Sequence, residues 1–88
     1  AGAGMNANSF YIRTATASRT PSGFYSATAT CDNGDVVISG GGQCLNAYLV
    51  DTSASYPSSN TSWTFNCTVE YGGTITTMPI AYARCLDL

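Results

Sequence analysis

The sequence predicts an all-β fold, a small antiparallel β-sandwich or barrel-like domain held by two disulfides. Threonine and tyrosine number 12 and 6 of the 88 residues, and both favour the pleated surface of a strand over the crowded turn of a helix. Apolar residues show no helical spacing, and turn residues interrupt the chain at regular intervals. The 4 cysteines lack the paired C-x-x-C motifs of zinc sites, which favours disulfides.

The first half of the chain divides into three predicted strands. Residues 10–17 alternate and end before a loop at 18–23. Residues 24–31 form the second strand, which ends at Asp-Asn-Gly-Asp, where Asn-Gly supplies the positive φ angles of a tight hairpin turn. Residues 36–39 form the third strand, and the three glycines at 40–42 indicate a bulge or a close approach of the backbone.

The second half of the chain contains three more predicted strands. These strands cover 44–50, 63–70 and 75–86, with a polar loop at 51–62 and a turn at 71–74. The strand 63–70 alternates cleanly, and one of its faces carries Trp63, Phe65, Cys67 and Val69. Pro79 interrupts the last strand and belongs at an edge or bulge, because proline cannot donate to a ladder.

The length fits one domain, which we place at residues 10–88 after a linker remnant at 1–9. The small residues at the N-terminus have neither the charged nor the apolar region of a signal peptide. We therefore expect the chain to be a module of a longer protein. No apolar run approaches the roughly 20 residues that cross a bilayer, so membrane insertion is not expected.

The composition argues against several classes of function. Charged residues make up 9% of the chain, against about 25% in an average protein, and there is no lysine or histidine. Without imidazole there is no Ser-His-Asp or Cys-His pair, and the five acids are scattered, so we expect no enzyme. A net charge of −2 also argues against nucleic acid. We expect no cofactor or metal, and interpret the acidic turn at 32–35 as a backbone turn rather than a calcium loop.

One disulfide follows from two matched segments. Residues 27–31 and 81–85 share the pattern Ala-x-Ala-x-Cys, which places small residues and a cysteine on one face of each strand. Two such strips can lie close together in a core. The sequence therefore predicts that Cys31 pairs with Cys85.

The second disulfide follows by elimination. A hairpin that turns at Gly72-Gly73 brings Cys67 opposite Met78 instead of Cys85, which leaves Cys67 to pair with Cys44. Two disulfides indicate an oxidising compartment, either the periplasm or the cell exterior.

The predicted loop at 51–62 is the candidate binding site. Tyr56 would serve as a stacking platform for a sugar, with Asp51 and Asn60 as hydrogen-bonding partners and Trp63 as a wall. The face that Trp63 shares with Phe65, Cys67 and Val69 favours a core position for it over this role, and Tyr56 is expected at the surface. The other tyrosines can be half-buried strand residues.

Several strings along residues 24–86 resemble a bacterial surface module. These are Cys-Asp-Asn-Gly-Asp-Val-Val-Ile-Ser-Gly-Gly-Gly-Gln-Cys at 31–44, Ser-Tyr-Pro at 55–57, Trp-Thr-Phe-Asn-Cys at 63–67 and Ala-Tyr-Ala-Arg-Cys at 81–85. Their order resembles the variable C-terminal segments of PilV, the tip adhesin of conjugative type IV pili, which shufflon recombination exchanges. The resemblance implies an extracellular pilus-tip domain, joined to the rest of the adhesin, that recognises lipopolysaccharide on recipient bacteria during conjugation.

Two other interpretations stay open. Similar modules occur in phage tail fibres, where the tip would be an obligate trimer and therefore a homo-oligomer, and a structural minor-pilin domain would bind no ligand. A second candidate site is the loop at 18–23, where the guanidinium of Arg19 would meet the phosphates of a lipopolysaccharide core.

Overall fold

The computed structural model describes residues 9–21, 23–44, 47–75 and 78–88, and within these ranges the chain is all-β, as predicted. Residues 1–8, most of the predicted linker, lie outside them. The described strands are β1 (Phe10–Thr16), β2 (Ser18–Arg19), β3 (Tyr25–Thr30), β4 (Val36–Gln43), β5 (Ala47–Ser59), β6 (Ser62–Ile75) and β7 (Ile80–Leu86).

The strands form two antiparallel sheets. Sheet A has the order β1-β7-β4, and sheet B has the order β2-β3-β6-β5. The inner faces of the two sheets pack on each other, and the buried residues between them come mainly from the central strands β3, β6 and β7. The molecule is therefore a small β-sandwich.

The core is built mostly from small side chains. The alternation Ala-x-Ala-x-Cys buries every second residue of β3 and β7, so that alanines and cysteines of the two sheets face each other. Gly40 and Gly42 of β4 lie beside Ala83 and Ala81 in sheet A. Because they have no side chains, they leave room for the rings of Trp63 and Phe65 from sheet B. The predicted close approach of the glycine backbone is confirmed.

Both predicted disulfides are present. Cys31 and Cys85 join β3 to β7 with their Cα atoms 5.7 Å apart, and Cys44 and Cys67 join the end of β4 to β6 at 6.2 Å. Each bridge connects sheet A to sheet B. The disulfides also place the protein in an oxidising compartment, the periplasm or the cell exterior.

Two predicted turns differ from the structure. The Asn-Gly turn is present, with Gly34 at φ 90° and Asp35 N–H bonded to Asp32 O at 3.0 Å, but it carries the chain from sheet B to sheet A and closes no hairpin. The predicted turn at 71–74 is wrong, because β6 continues to Ile75. The hairpin used to exclude a Cys67–Cys85 pair is therefore absent, although the pairing itself is correct.

The predicted polar loop at 51–62 is also wrong. Most of it belongs to β5, and only Asn60 and Thr61 form the turn into β6. Because β5 is the outermost strand of sheet B, it tolerates hydroxyl side chains, a proline at position 57 and three register shifts, features that protect strand edges. The predicted strand at 44–50 corresponds to the start of β5, which begins at Ala47. Residues 45 and 46 of this prediction lie outside the described ranges.

The last predicted strand begins later than expected, and β7 starts immediately after the buried Pro79. The carbonyl of Pro79 accepts a hydrogen bond from Ala17 N–H at 2.8 Å. Residues 76 and 77 of this prediction lie outside the described part of the chain. Pro79 therefore interrupts the predicted strand, as expected. It lies directly before β7, the central strand of sheet A, and not at a sheet edge.

A buried carboxylate holds one end of the sandwich together. Asp35 is 2% exposed and accepts hydrogen bonds from the Tyr11 hydroxyl and, at 3.1 Å, from Leu88 N–H. The Tyr11 oxygen in turn accepts Asp32 N–H at 2.9 Å. The hydroxyl of Tyr11, and after it the N–H of Leu88, lower the pKa of Asp35 because they stabilise its charged form.

This pKa predicts how stability depends on pH. A carboxyl whose folded pKa lies below its unfolded value stabilises the fold at neutral pH, and that contribution is lost as the pH falls through the folded pKa. We expect Asp35→Asn to lower stability at neutral pH and to flatten the loss of stability on acidification below the ordinary aspartate pKa of about 4. Guanidinium unfolding followed by the fluorescence of the single tryptophan measures both effects.

Asp32→Asn is the matched control, because Asp32 belongs to the same turn but its ion pair with Arg13 is about half exposed. If the two substitutions changed the loss of stability at acidic pH equally, the role assigned to Asp35 would be contradicted.

Candidate functional site

The residues predicted to share one loop are instead spread along the β5–β6 hairpin. Asp51 lies opposite Thr68, Tyr56 lies opposite Thr64, and Asn60 is in the turn. At about 3.4 Å per residue, the nine steps from Asp51 to Asn60 extend over roughly 30 Å. The side chain of Asp51 lies outside the described part of the structure. The hairpin therefore does not gather these residues into one site.

Tyr56 and Trp63 lie on opposite faces of sheet B. Side chains alternate along a strand, and Tyr56 is paired with Thr64, the neighbour of Trp63. Tyr56 is 45% exposed on the outer face, whereas Trp63 packs half-buried against the core and donates its Nε1–H to Ser55 Oγ at 3.0 Å. The interpretation of Trp63 as a core residue is confirmed. A sugar stacked on Tyr56 would be separated from Trp63 by the sheet.

Arg19 lies far from the hairpin turn. Its segment is partly a strand, because β2 pairs with the start of β3, where Arg19 lies opposite Tyr25. The turn at Asn60 lies at the other end of β3, about 17 Å away along the strand, where Thr30 pairs with Ser62. Arg19 is exposed, and it shares no surface with Tyr56 or Asn60.

The structure exposes a different surface, the outer face of sheet A. The alternate residues of β7 that do not enter the core point to this face, together with their partners on β1 and β4. Rows of three residues cross the sheet in the register Phe10–Leu86–Val36, Ile12–Arg84–Ser39, Thr14–Tyr82–Gly41 and Thr16–Ile80–Gln43. Phe10, Ile12 and Tyr82 are 40%, 50% and 40% exposed.

Arg84 is the only charged residue in these four rows. Its guanidinium lies over the ring of Phe10, with Cζ 4.9 Å from the ring centroid, and its side chain is exposed. Among the described residues none accepts a hydrogen bond from it or pairs with its charge. An open cleft of ≈ 320 Å³ beside Arg84 is lined by Phe10, Tyr11 and Ile12.

Tyr82 forms a second aromatic platform on the same face. A methyl group added at Gly41 would lie 2.7 Å from the Tyr82 hydroxyl oxygen and 2.9 Å from its Cζ. Because Gly41 has no side chain, the end of the Tyr82 side chain can lie against β4, and Tyr82 as a whole remains 40% exposed. Together, Tyr82 and the Phe10–Arg84 pair give the sheet two aromatic rings and one cation within a few residues.

The sequence contained a signal for this face. In the pattern Ala-x-Ala-x-Cys that predicts a disulfide, the intervening residues Tyr82 and Arg84 must point away from the core. Which residues lie beside Tyr82 and Arg84 on this face is determined by the strand order β1-β7-β4, and no local sequence pattern indicates that order. The strand pairing is therefore what brings Phe10 and Ile12 to Arg84.

Comparison with known proteins gives no match to a protein-family model, to a curated protein or to a solved structure. In the described ranges, no helix is present that is long and apolar enough to cross a membrane. The acids of the turn at 32–35 have protein partners, Arg13 for Asp32 and Tyr11 for Asp35. Within the same ranges, no three acidic or thiol side chains come together as a metal site would require.

Proposed function

We propose that this domain is an extracellular glycan-binding module and that its ligand lies on the outer face of sheet A. The observation that carries the proposal is the exposure of Tyr82 and of the Phe10–Arg84 pair on one flat surface. Aromatic rings pack on the apolar faces of pyranoses, and a guanidinium donates hydrogen bonds to the oxygen atoms around the ring.

The rest of the molecule supports this function by holding the face rigid. The central strand β7 carries Tyr82 and Arg84, and it is paired on both sides and tied to β3 by a disulfide. A site on such a strand loses little conformational entropy when a ligand binds.

At a finer level, we propose that the module is the receptor-binding end of a pilus-tip adhesin and that its ligand is lipopolysaccharide on recipient bacteria. The support is the resemblance over residues 24–86 described above, which includes the string Ala81–Cys85 that carries Tyr82 and Arg84. A single site for a hydrated saccharide binds weakly, so adhesion would depend on several copies of the domain acting together.

A second candidate function, the trimeric tip of a tail fibre, is favoured by exposed aliphatic side chains of sheet A. Ile12 of β1 and Ile38 of β4 are 50% and 46% exposed, and a subunit interface would bury such side chains. Sedimentation equilibrium separates the two functions: a monomer supports the adhesin module, and a stable trimer supports the fibre tip.

Two tyrosine substitutions test where the ligand binds. We expect Tyr82→Ala to weaken binding to lipopolysaccharide or whole recipient cells at least tenfold, which corresponds to about 1.4 kcal/mol. Tyr56→Ala removes a tyrosine of similar exposure from the outer face of sheet B, and we expect it to bind as the parent protein does. Circular dichroism establishes that both variants are folded.

Tyr82→Phe retains the ring and should therefore retain most of the affinity. If Tyr56→Ala weakened binding and Tyr82→Ala did not, the binding site would lie on the β5–β6 hairpin and the proposed site on sheet A would be wrong.

A further inference from the structure

We infer that the saccharide bound by this module is acidic and that Arg84 receives its anionic group. The inference rests on the proposed glycan-binding function and names the class of sugar. It follows from the placement of the arginines, of which the chain has few.

The chain has three cationic side chains, and each has different surroundings. Arg13 forms an ion pair with Asp32, to whose two carboxylate oxygens its Nε–H and Nη2–H donate at 2.9 and 2.8 Å. Arg19 stands on the short edge strand β2. Only Arg84 lies in the middle of a sheet, on β7, between Ile12 of β1 and Ser39 of β4.

Among the described residues, no carboxylate balances Arg84 on its own face. The four rows of the outer face contain no aspartate or glutamate, and no described residue pairs with the guanidinium. In a protein of net charge −2, a cation placed in otherwise uncharged rows, with no ion-pair partner among the described residues, is a specific arrangement. An anionic ligand would supply the partner that the fold does not.

The ring of Phe10 prepares Arg84 for this role. The guanidinium carbon lies 4.9 Å from the centroid of the Phe10 ring, and no described residue accepts a hydrogen bond from its N–H groups, which can therefore donate to a ligand. A planar fork of donors held in this way matches the two oxygens of a carboxylate or phosphate and forms shorter, stronger bonds with them than with a neutral hydroxyl.

The two aromatic platforms lie on the same face of sheet A but on opposite sides of β7. Arg84 and Tyr82 are two residues apart on this strand, so their Cα atoms are about 7 Å apart on the same face. Arg84 contacts Phe10 of β1 and the end of Tyr82 lies at Gly41 of β4, so a ligand that touches both is an oligosaccharide with its charged group at Arg84. Phosphorylated sugars and uronic acids present the same chemistry to this site.

A glycan array tests the inference with the intact domain. Bacterial polysaccharides are printed in three forms: untreated, with carboxyl groups reduced to alcohols, and with phosphate groups removed. We expect the domain to bind untreated acidic polysaccharides and to lose at least tenfold in affinity after one of the treatments. The treatment that abolishes binding identifies uronate or phosphate as the source of the charge.

Two arginine variants complete the test. Arg84→Gln should lose the preference for the acidic form and the dependence of binding on salt, whereas Arg19→Gln should keep both. Equal binding of charged and neutralised forms by the parent protein would overturn the inference but leave glycan binding intact, as would loss of the preference in Arg19→Gln instead of Arg84→Gln. Binding to no polysaccharide at all would overturn both proposals.

Discussion

Replacing Cys31 and Cys85 together by alanine should cost about 4 kcal/mol of stability, the value expected when a cross-link across 54 residues no longer restricts the unfolded chain. The whole stability of a small domain is about 5 to 15 kcal/mol. Because this core contains mainly alanine and cysteine, it has little other apolar burial to offset the loss. We therefore expect the double variant to be largely unfolded near its physiological temperature.

The other disulfide provides the matched comparison. Cys44 and Cys67 are separated by 23 residues, so their replacement by alanine should cost about 3 kcal/mol. Guanidinium unfolding followed by tryptophan fluorescence and circular dichroism gives both values. A Cys31→Ala, Cys85→Ala protein that unfolds at the same denaturant concentration as the parent would contradict the importance given to this bridge.

The second large effect is expected at Gly40. An alanine methyl group there would lie 2.3 Å from Trp63 Cγ and 2.6 Å from the carbonyl oxygen of Tyr82. The carbonyl belongs to β7, the neighbouring strand of the same sheet, and Trp63 belongs to sheet B. The methyl group is therefore caught between a backbone that cannot move away and a packed ring, and β4 must shift out of its place in the sandwich. We expect Gly40→Ala to destabilise the domain by about 3 kcal/mol, the upper part of the range for overpacked cores.

Gly41→Ala is the control for Gly40→Ala, because it makes the same change from glycine to alanine in the same strand without the clash in the core. The added methyl group meets only the end of the Tyr82 side chain, which can swing outward, and alanine suits a strand better than glycine does. We expect this variant to keep its stability within about 1 kcal/mol of the parent, as for most substitutions outside the core. If Gly40→Ala were equally mild, the inner face of β4 would not be packed as described.

The Cys31–Cys85 disulfide and the small-residue core were predictable because they depend on alternation within single strands. The segments 27–31 and 81–85 bury the same residue types, and the strand period alone shows that their alanines and cysteines share a face. The hydrogen-bonding partner of each strand was not predictable in this way. Cys67 and Met78 were expected to pair across a hairpin, but β6 and β7 belong to different sheets.

The binding site was predicted wrongly at 51–62 for a related reason. Serine, threonine, asparagine and proline are typical of loops when only the local sequence is considered. Pairing with β6 supplies this segment with the hydrogen bonds of a strand, and most of its partners lie outside the segment, 6 to 17 positions further along the chain. The exposed position of Arg84 followed from its strand, but its isolation from carboxylates depends on which strands lie beside β7.

Mapping the bound glycan by NMR shows which face of the domain holds the ligand. Backbone amide shifts of the labelled domain are recorded while an acidic polysaccharide fragment identified on the array is added. We expect the largest changes in sheet A, at Ile12, Ser39 and Arg84. Largest changes at Tyr56 and its neighbours in β5, or at Arg19 in β2, would contradict this expectation.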